Sequence, residues 1–252
     1  IGDLDLSTDD GVRTALDALG RHGVVSRYDR GIEPVWSIAR DRHLEAAFYR
    51  NSIVHLLVNR AIAELVLVYV DELPSDDSVK SGWEEAQRIR DVLKFEFFFA
   101  RRRDFDLELR AELALIEPSW EHREAEPGAA IDALVRTDLL LAPRVLSSFL
   151  EAYLVVAERL AAQPPNAPID EDAFIAECLG VGHQLRLQRK LASTDSISRE
   201  LFATALKLAR NRGLVEPAGT PSGELVRARE AFRAEIATLV RRMGRLRRLA
   251  LR

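Results

Sequence analysis

Residues 53–70 offer a helix almost no solvent face, and this constrains the fold more than any other feature of the sequence. Residues 41–71 read as one continuous helix, ~45 Å long at the α-helical rise. In its centre the only polar side chains are His55, Asn59, Arg60 and Glu64. A helix that is apolar nearly all round sits inside a protein core or a bilayer. These polar groups are too many for a simple membrane span, so a core helix wrapped by other elements is expected. Arg60 and Glu64, four positions apart, can touch along such a helix.

The rest of the 252 residues can supply the wrapping. Hydrophobic residues make up 47% and charged residues 30%, a balance that fits a globular protein and excludes disorder. Only 13 glycines and 10 prolines interrupt a chain rich in Ala, Leu, Arg and Glu, which are strong helix formers. The one cysteine, Cys178, excludes an internal disulfide framework and suits a reducing compartment. No basic-then-apolar signal segment opens the sequence. With Ile1 first and Met243 the only methionine, the chain is expected to begin after a cleavage or partway along a longer polypeptide. The formal charge of -4 hides an asymmetry, because residues 241–252 hold six arginines and no acid.

Local chemistry divides the chain as follows. Ser7-Thr8-Asp9-Asp10 is a helix start, and the helix runs to about Arg21 before His22-Gly23 stops it. Residues 24–28 and 34–38 read as two strands about the turn Asp29-Arg30-Gly31, with Pro34 marking an edge. A helix followed by a hairpin is a winged-helix-like start. Further helices are expected over 83–100, 105–116, 129–162 (kinked or divided at Pro143), 170–191, 198–211 and 223–251. In the last, Leu225, Phe232, Ile236, Leu239, Met243 and Leu246 make a seam along one face. The expected fold is mainly α, a multi-helix domain with one small β-hairpin. Its two lobes are residues 1–116, containing the block FYRNSIVH, and residues 129–252, divided by the proline-containing loop 117–128. Thr14-Ala15-Leu16, Gly23 and Val25 recur as Thr204-Ala205-Leu206, Gly213 and Val215, all offset by 190 residues. Duplication or shared helix-stop chemistry would both produce that echo.

Most signatures of catalysis fail. There is no glycine-rich phosphate loop, no paired cysteines, no His-Glu-x-x-His and no Gly-x-Ser-x-Gly, so neither metal nor cofactor is called for. Cys178 and His183, five apart, have poor ligand geometry and read as a buried thiol and a half-exposed histidine. On a helix Asn51, His55 and Asn59 fall within about 80° of one another. With Arg50 they are candidates for contact with a neighbouring domain, or for an internal network joining helices. Two clusters combine basic with aromatic or apolar residues: Phe98, Phe99, Arg101, Arg102 and Arg103, and then Arg241, Arg242, Arg245 and Arg248. They suit an anionic membrane surface or a solvated helix face. The first helix sets Asp9, Asp10 and Asp17 against Arg13 and Arg21, which argues against nucleic-acid binding.

LGRHGVVSRYDRGIEPVWSI over 19–38, HLEAAFYRNSIVHLLVNRAIAEL over 43–65, VLKFEFFFARRRDF over 92–105 and ALKLARNRGLVEPAG over 205–219 together resemble the C-terminal region of bacterial membrane-bound glycerol-3-phosphate acyltransferases. The resemblance implies transfer of an acyl group from acyl-CoA or acyl carrier protein to the 1-hydroxyl of glycerol 3-phosphate, at the cytoplasmic face of the bacterial membrane. It also implies a general-base histidine in a His-x4-Asp motif. The residues five after His22, His43, His55, His122 and His183 are Arg27, Phe48, Arg60, Pro127 and Gln188, so that motif is not in this chain. No catalytic residue is assigned. The resemblance therefore implies a non-catalytic accessory region that packs on an upstream acyltransferase domain and meets the acyl donor through it. The alternative is a winged-helix-like or helical interaction module unrelated to acyl transfer.

Overall fold

The computed structural model describes residues 8–38, 42, 54–72, 78–120, 128–137, 139–215 and 222–251. Among these, ten α-helices and one two-stranded hairpin make a mainly α fold. The chain divides into two compact units, Ile1–His55 and Leu56–Arg252.

In the first unit, α1 (Asp9–Arg21) is capped by Thr8, whose Oγ1 accepts from the Gly11 amide at 3.1 Å. It ends where Gly23 takes φ +70° and the Val24 amide reaches back to the Leu19 carbonyl at 3.0 Å. A side chain would strain that left-handed position, which is why glycine stands there. Strands β1 (Ser26–Tyr28) and β2 (Val35–Ser37) pair antiparallel in the register Ser26↔Ser37, Arg27↔Trp36 and Tyr28↔Val35. Pro34 lies just outside β2 and donates nothing to the ladder.

The second unit is built around α2 (Val58–Glu72), entered through a 3₁₀ turn, Val54–Leu57. From Ala61 to Val68 every residue of α2 is buried, as its apolar girth requires. The wrapping comes from α3 (Ser78–Leu93), α4 (Arg102–Ile116), α5 (Ala129–Val135), α6 (Ala142–Val145) and α10 (Ser222–Leu249). A second buried helix, α7 (Ser147–Ala162), is covered by α8 (Glu171–Leu187), α9 (Arg199–Asn211) and α10. All six residues of the expected α10 seam are buried.

The loop at 117–128, expected to divide two lobes, falls inside the second unit. The reason is α2: its cover comes from helices on both sides of that loop, so neither half could bury it alone. The helix expected over 83–100 starts earlier and stops at Leu93, whose carbonyl accepts the amides of Glu96 at 2.9 Å and Phe97 at 3.1 Å and so turns the chain. The helix expected over 129–162 is three helices. Pro143 lies in the first turn of α6, where its missing donor costs nothing. Of the long helix expected over 41–71, residues 41 and 43–53 lie outside the described residues.

The echo at an offset of 190 residues extends to geometry. α9 is also 13 residues long, with Ser198 capping the Leu201 amide at 3.4 Å. Thr204 donates to the Glu200 carbonyl as Thr14 does to that of Asp10. Gly213, at φ +71°, repeats the stop, with the Leu214 amide returning to the Ala209 carbonyl at 2.9 Å. What differs is burial: α9 buries Phe202, Ala205, Leu206, Leu208 and Ala209, whereas α1 buries nothing.

Arg242 of α10 is 5% exposed and clamps α2 to α3, reaching Glu72 Oε2 at 2.8 Å and Glu85 Oε1 at 2.5 Å. Its guanidinium also lies 4.7 Å from the Tyr69 ring centre. Replacing Arg242 by Met leaves the Glu85 carboxylate buried with one cationic partner fewer. The expected loss is about 3–5 kcal/mol in urea unfolding, and a change near zero would show that the clamp does not carry the packing.

Candidate functional site

Of the polar residues expected at a domain contact, His55 and Asn59 are described. Arg50 and Asn51 lie outside the described residues. His55 is exposed at the end of the first unit. Asn59 is half-buried in α2 and donates to Glu108 Oε2 of α4 at 2.8 Å, so it joins helices within the second unit.

The aromatic–basic segment after α3 is a surface feature with a built base. Beyond the turn at Leu93, residues 98–100 carry no helix. Phe97 is buried edge-on against Phe149 at 4.9 Å between ring centres, and Phe99 packs edge-on against Phe105 at 5.6 Å. Arg90 stacks over Phe99 and Phe105 and donates to the Ala100 carbonyl at 2.9 Å, locking the segment down. Between these packed rings Phe98 is fully exposed. Arg101 is exposed at the start of α4, and the side chains of Arg102 and Arg103 are 71% and 91% exposed. Their nearest acids, Asp91 at 3.5 Å and Asp104 at 3.9 Å, are in solvent, where such pairs are weak.

The C-terminal arginines divide differently from the expectation. Arg242 is inside the protein, and Arg245 reaches Asp71 Oδ2 at 2.5 Å with its side chain only 32% exposed. Neither belongs to a surface patch, because α10 turns this face onto the acidic end of α2. Arg241 and Arg248 are exposed.

Several buried polar groups escaped the sequence reading. Glu151 of α7 accepts from the Ala192 amide at 2.9 Å and from Arg247 at 3.1 Å. Arg229 fills the gap in the α10 seam between Leu225 and Phe232, donating to the carbonyls of Leu214 at 2.8 Å, Gln163 at 3.1 Å and Val215 at 3.4 Å. Its burial lowers its affinity for the proton. The seam's spacing pointed to position 229, and only its charge concealed it. Cys178 is buried and its thiol is pushed up to about 12 by that burial, with Glu177 adding to the shift, while His183 is exposed. Glu96 accepts from the Tyr153 hydroxyl at 3.1 Å, and burial raises its carboxyl to about 7 against the pull of its hydrogen bonds. A groove of about 770 Å³ beside α10 is lined by Arg88, Arg212, Phe232, Glu235 and Thr238 among others, with Arg88 paired to Glu85 and Arg212 to Glu235. Among the described residues no three potential metal ligands cluster, and no helix is long and apolar enough to cross a membrane.

Comparison with known proteins gives a consistent set of relatives. The family described as glycerol-3-phosphate acyltransferase C-terminal region matches residues 2–218. Proteins named "Putative acyltransferase plsB1" from Mycobacterium tuberculosis and Mycobacterium bovis are each 45% identical over 256 residues, covering 100% of this chain and 40% of their own length. A protein named "Glycerol-3-phosphate acyltransferase" from Aeromonas hydrophila is 22% identical over 214 residues, covering 84% of this chain and 26% of that protein. The chain thus spans well under half the length of these relatives. No solved structure matches.

Glu96 gives the fold a measurable pH signature. Its carboxyl rises from an ordinary 4.5 to about 7, so between those values the folded chain holds a proton that the unfolded chain releases. Its contribution to stability is full below 4.5 and is lost as pH rises through 7. Glu96→Gln should remove that slope and raise stability above pH 7 by roughly 1–3 kcal/mol relative to wild type. Urea unfolding from pH 5 to 8 checks it, and an unchanged slope in the variant counts against the assignment.

Proposed function

Since the chain belongs to the family of glycerol-3-phosphate acyltransferase C-terminal regions, we propose that it is the accessory, non-catalytic region of a glycerol-3-phosphate 1-O-acyltransferase. The observation that carries this reading is the match over residues 2–218, together with relatives named as acyltransferases whose length extends far beyond it. In this reading the parent enzyme transfers an acyl group from acyl-CoA or acyl carrier protein to glycerol 3-phosphate, and a histidine base outside this chain takes the hydroxyl proton. The region stabilises that domain and holds it at the membrane.

The use made of the interior charges supports a supporting role. Glu64 is wholly buried and accepts the amides of Leu141 at 2.9 Å and Ala142 at 2.8 Å. Burial raises its proton affinity against those donors and Arg60. Glu85, Glu151, Arg229 and Arg242 are likewise tied to partners within the second unit. These groups hold helices together.

For the membrane, the proposal rests on Phe98, Arg101, Arg102 and Arg103. A ring at headgroup depth beside arginines facing anionic lipid is favourable on both counts. The partner in that contact is the cytoplasmic leaflet, and binding is peripheral.

Two measurements test the reading. The chain alone should form no lysophosphatidate, the full-length parent should, and the parent lacking this region should fall by at least about tenfold in kcat/KM. Turnover by the chain alone, or an undiminished deletion variant, would overturn the accessory assignment. Flotation with phosphatidylglycerol vesicles should carry the full-length parent upward in a salt-sensitive manner. Phe98→Ala combined with Arg101, Arg102 and Arg103 changed to Glu should weaken binding by roughly a hundredfold, at about 1 kcal/mol per lost arginine. Unchanged flotation would remove this surface from the membrane contact.

A further inference from the structure

We infer that the apolar stripe of α1 is a docking face for an apolar helical surface in the part of the parent protein that lies outside this chain. The inference rests on the proposed membership of a longer acyltransferase and goes beyond it by naming the contact.

Val12, Ala15, Leu16 and Leu19 fall within about 100° of arc on α1, a stripe of the width that core-facing helices use. Yet α1 has no buried residue, and Val12 and Leu19 are 42% and 39% exposed. The hairpin borders only one edge of the stripe, where Leu16 shares a groove with Val25, Arg27 and Trp36. It approaches the polar side of the helix, through Arg27 to Asp17 at 3.6 Å, with the Arg27 guanidinium stacked over Trp36 at 5.3 Å. Asp17 lies about 100° or more around the helix from Val12, Ala15, Leu16 and Leu19. On the hairpin's other face, Tyr28 and Val35 are 58% and 56% exposed.

What covers such a stripe is shown elsewhere in the same chain. Subtracting 190 from the five buried residues of α9 gives Val12, Ala15, Leu16, Ala18 and Leu19, the apolar positions of α1. The two helices share length, cap, threonine back-bond and glycine stop. In α9 this face is packed on the buried helix α7 and on α8. Among the described residues the same pattern in α1 stands open, so it calls for an equivalent apolar helical surface. The mycobacterial relatives, similar over the whole of this chain, use only 40% of their length for it, which leaves ample polypeptide to provide one.

Thiol labelling decides the matter. Val12→Cys and Leu19→Cys are made separately in this 252-residue chain and in the full-length parent, with Asp10→Cys on the polar side of α1 as reference. Cys178, buried in this chain, reacts slowly. Maleimide modification, read by peptide mass, should be fast at positions 12 and 19 in the chain alone and at least about tenfold slower in the parent, while position 10 reacts equally in both. Equal rates at 12 and 19 in the two proteins overturn the inference: both fast means that no parent segment sits there, and both slow means that this chain covers its own stripe. A rate in the isolated chain that falls with concentration overturns it in favour of a second copy. Co-purification of the chain with the separately expressed remainder of the parent separates the two proposals. Binding that persists with unprotected cysteines refutes this surface alone, whereas absence of binding refutes the accessory role as well.

Discussion

Enclosing α2 is the constraint from which the second unit follows. A helix with eight consecutive residues shut off from solvent must be met on every side, and five helices meet it. Its one fully buried charge, Glu64, sharpens the demand, because an isolated carboxylate at zero exposure would cost several kcal/mol. The first amides of α6 and the preceding residue answer it. That contact fixes where α6 begins, and α6 in turn leads directly into α7. One carboxylate therefore ties the enclosure of the first buried helix to the placement of the second.

The fold was largely legible in the sequence because most of its elements carry their own boundaries. Thr8, Asp170 and Ser198 cap helices with their side chains, and Gly23 and Gly213 stop them. The α10 seam could be read residue by residue. Illegible were the features that depend on distant partners. Leu93 ends α3 although the residues after it continue a plausible helical pattern, because the phenylalanines gain more by packing on Phe105 and Phe149. The cover of α2 is another such feature, since it comes from helices on both sides of residues 117–128.

Charge was the least legible property of the candidate site. Arg241, Arg242, Arg245 and Arg248 look alike in a basic tail, but their positions around one helix send Arg242 inward and leave Arg248 in water. Arg101, Arg102 and Arg103 stay outside because the helix they begin turns Phe105, Leu109 and Leu113 to the core. A count of basic residues cannot make that distinction, whereas a helical wheel anchored on the neighbouring leucines can.

α10 behaves as a strut. Over its 28 residues it holds three backbone carbonyls near one end through Arg229 and three carboxylates near the other through Arg242 and Arg245. These two sets of fingers lie several turns apart on a single stiff rod, so α2 and α7 are kept in step like teeth on a rack. Sliding either helix by one turn would unseat several charged contacts together. The second unit is thus built to travel as a block, and any bending is pushed out to its margins.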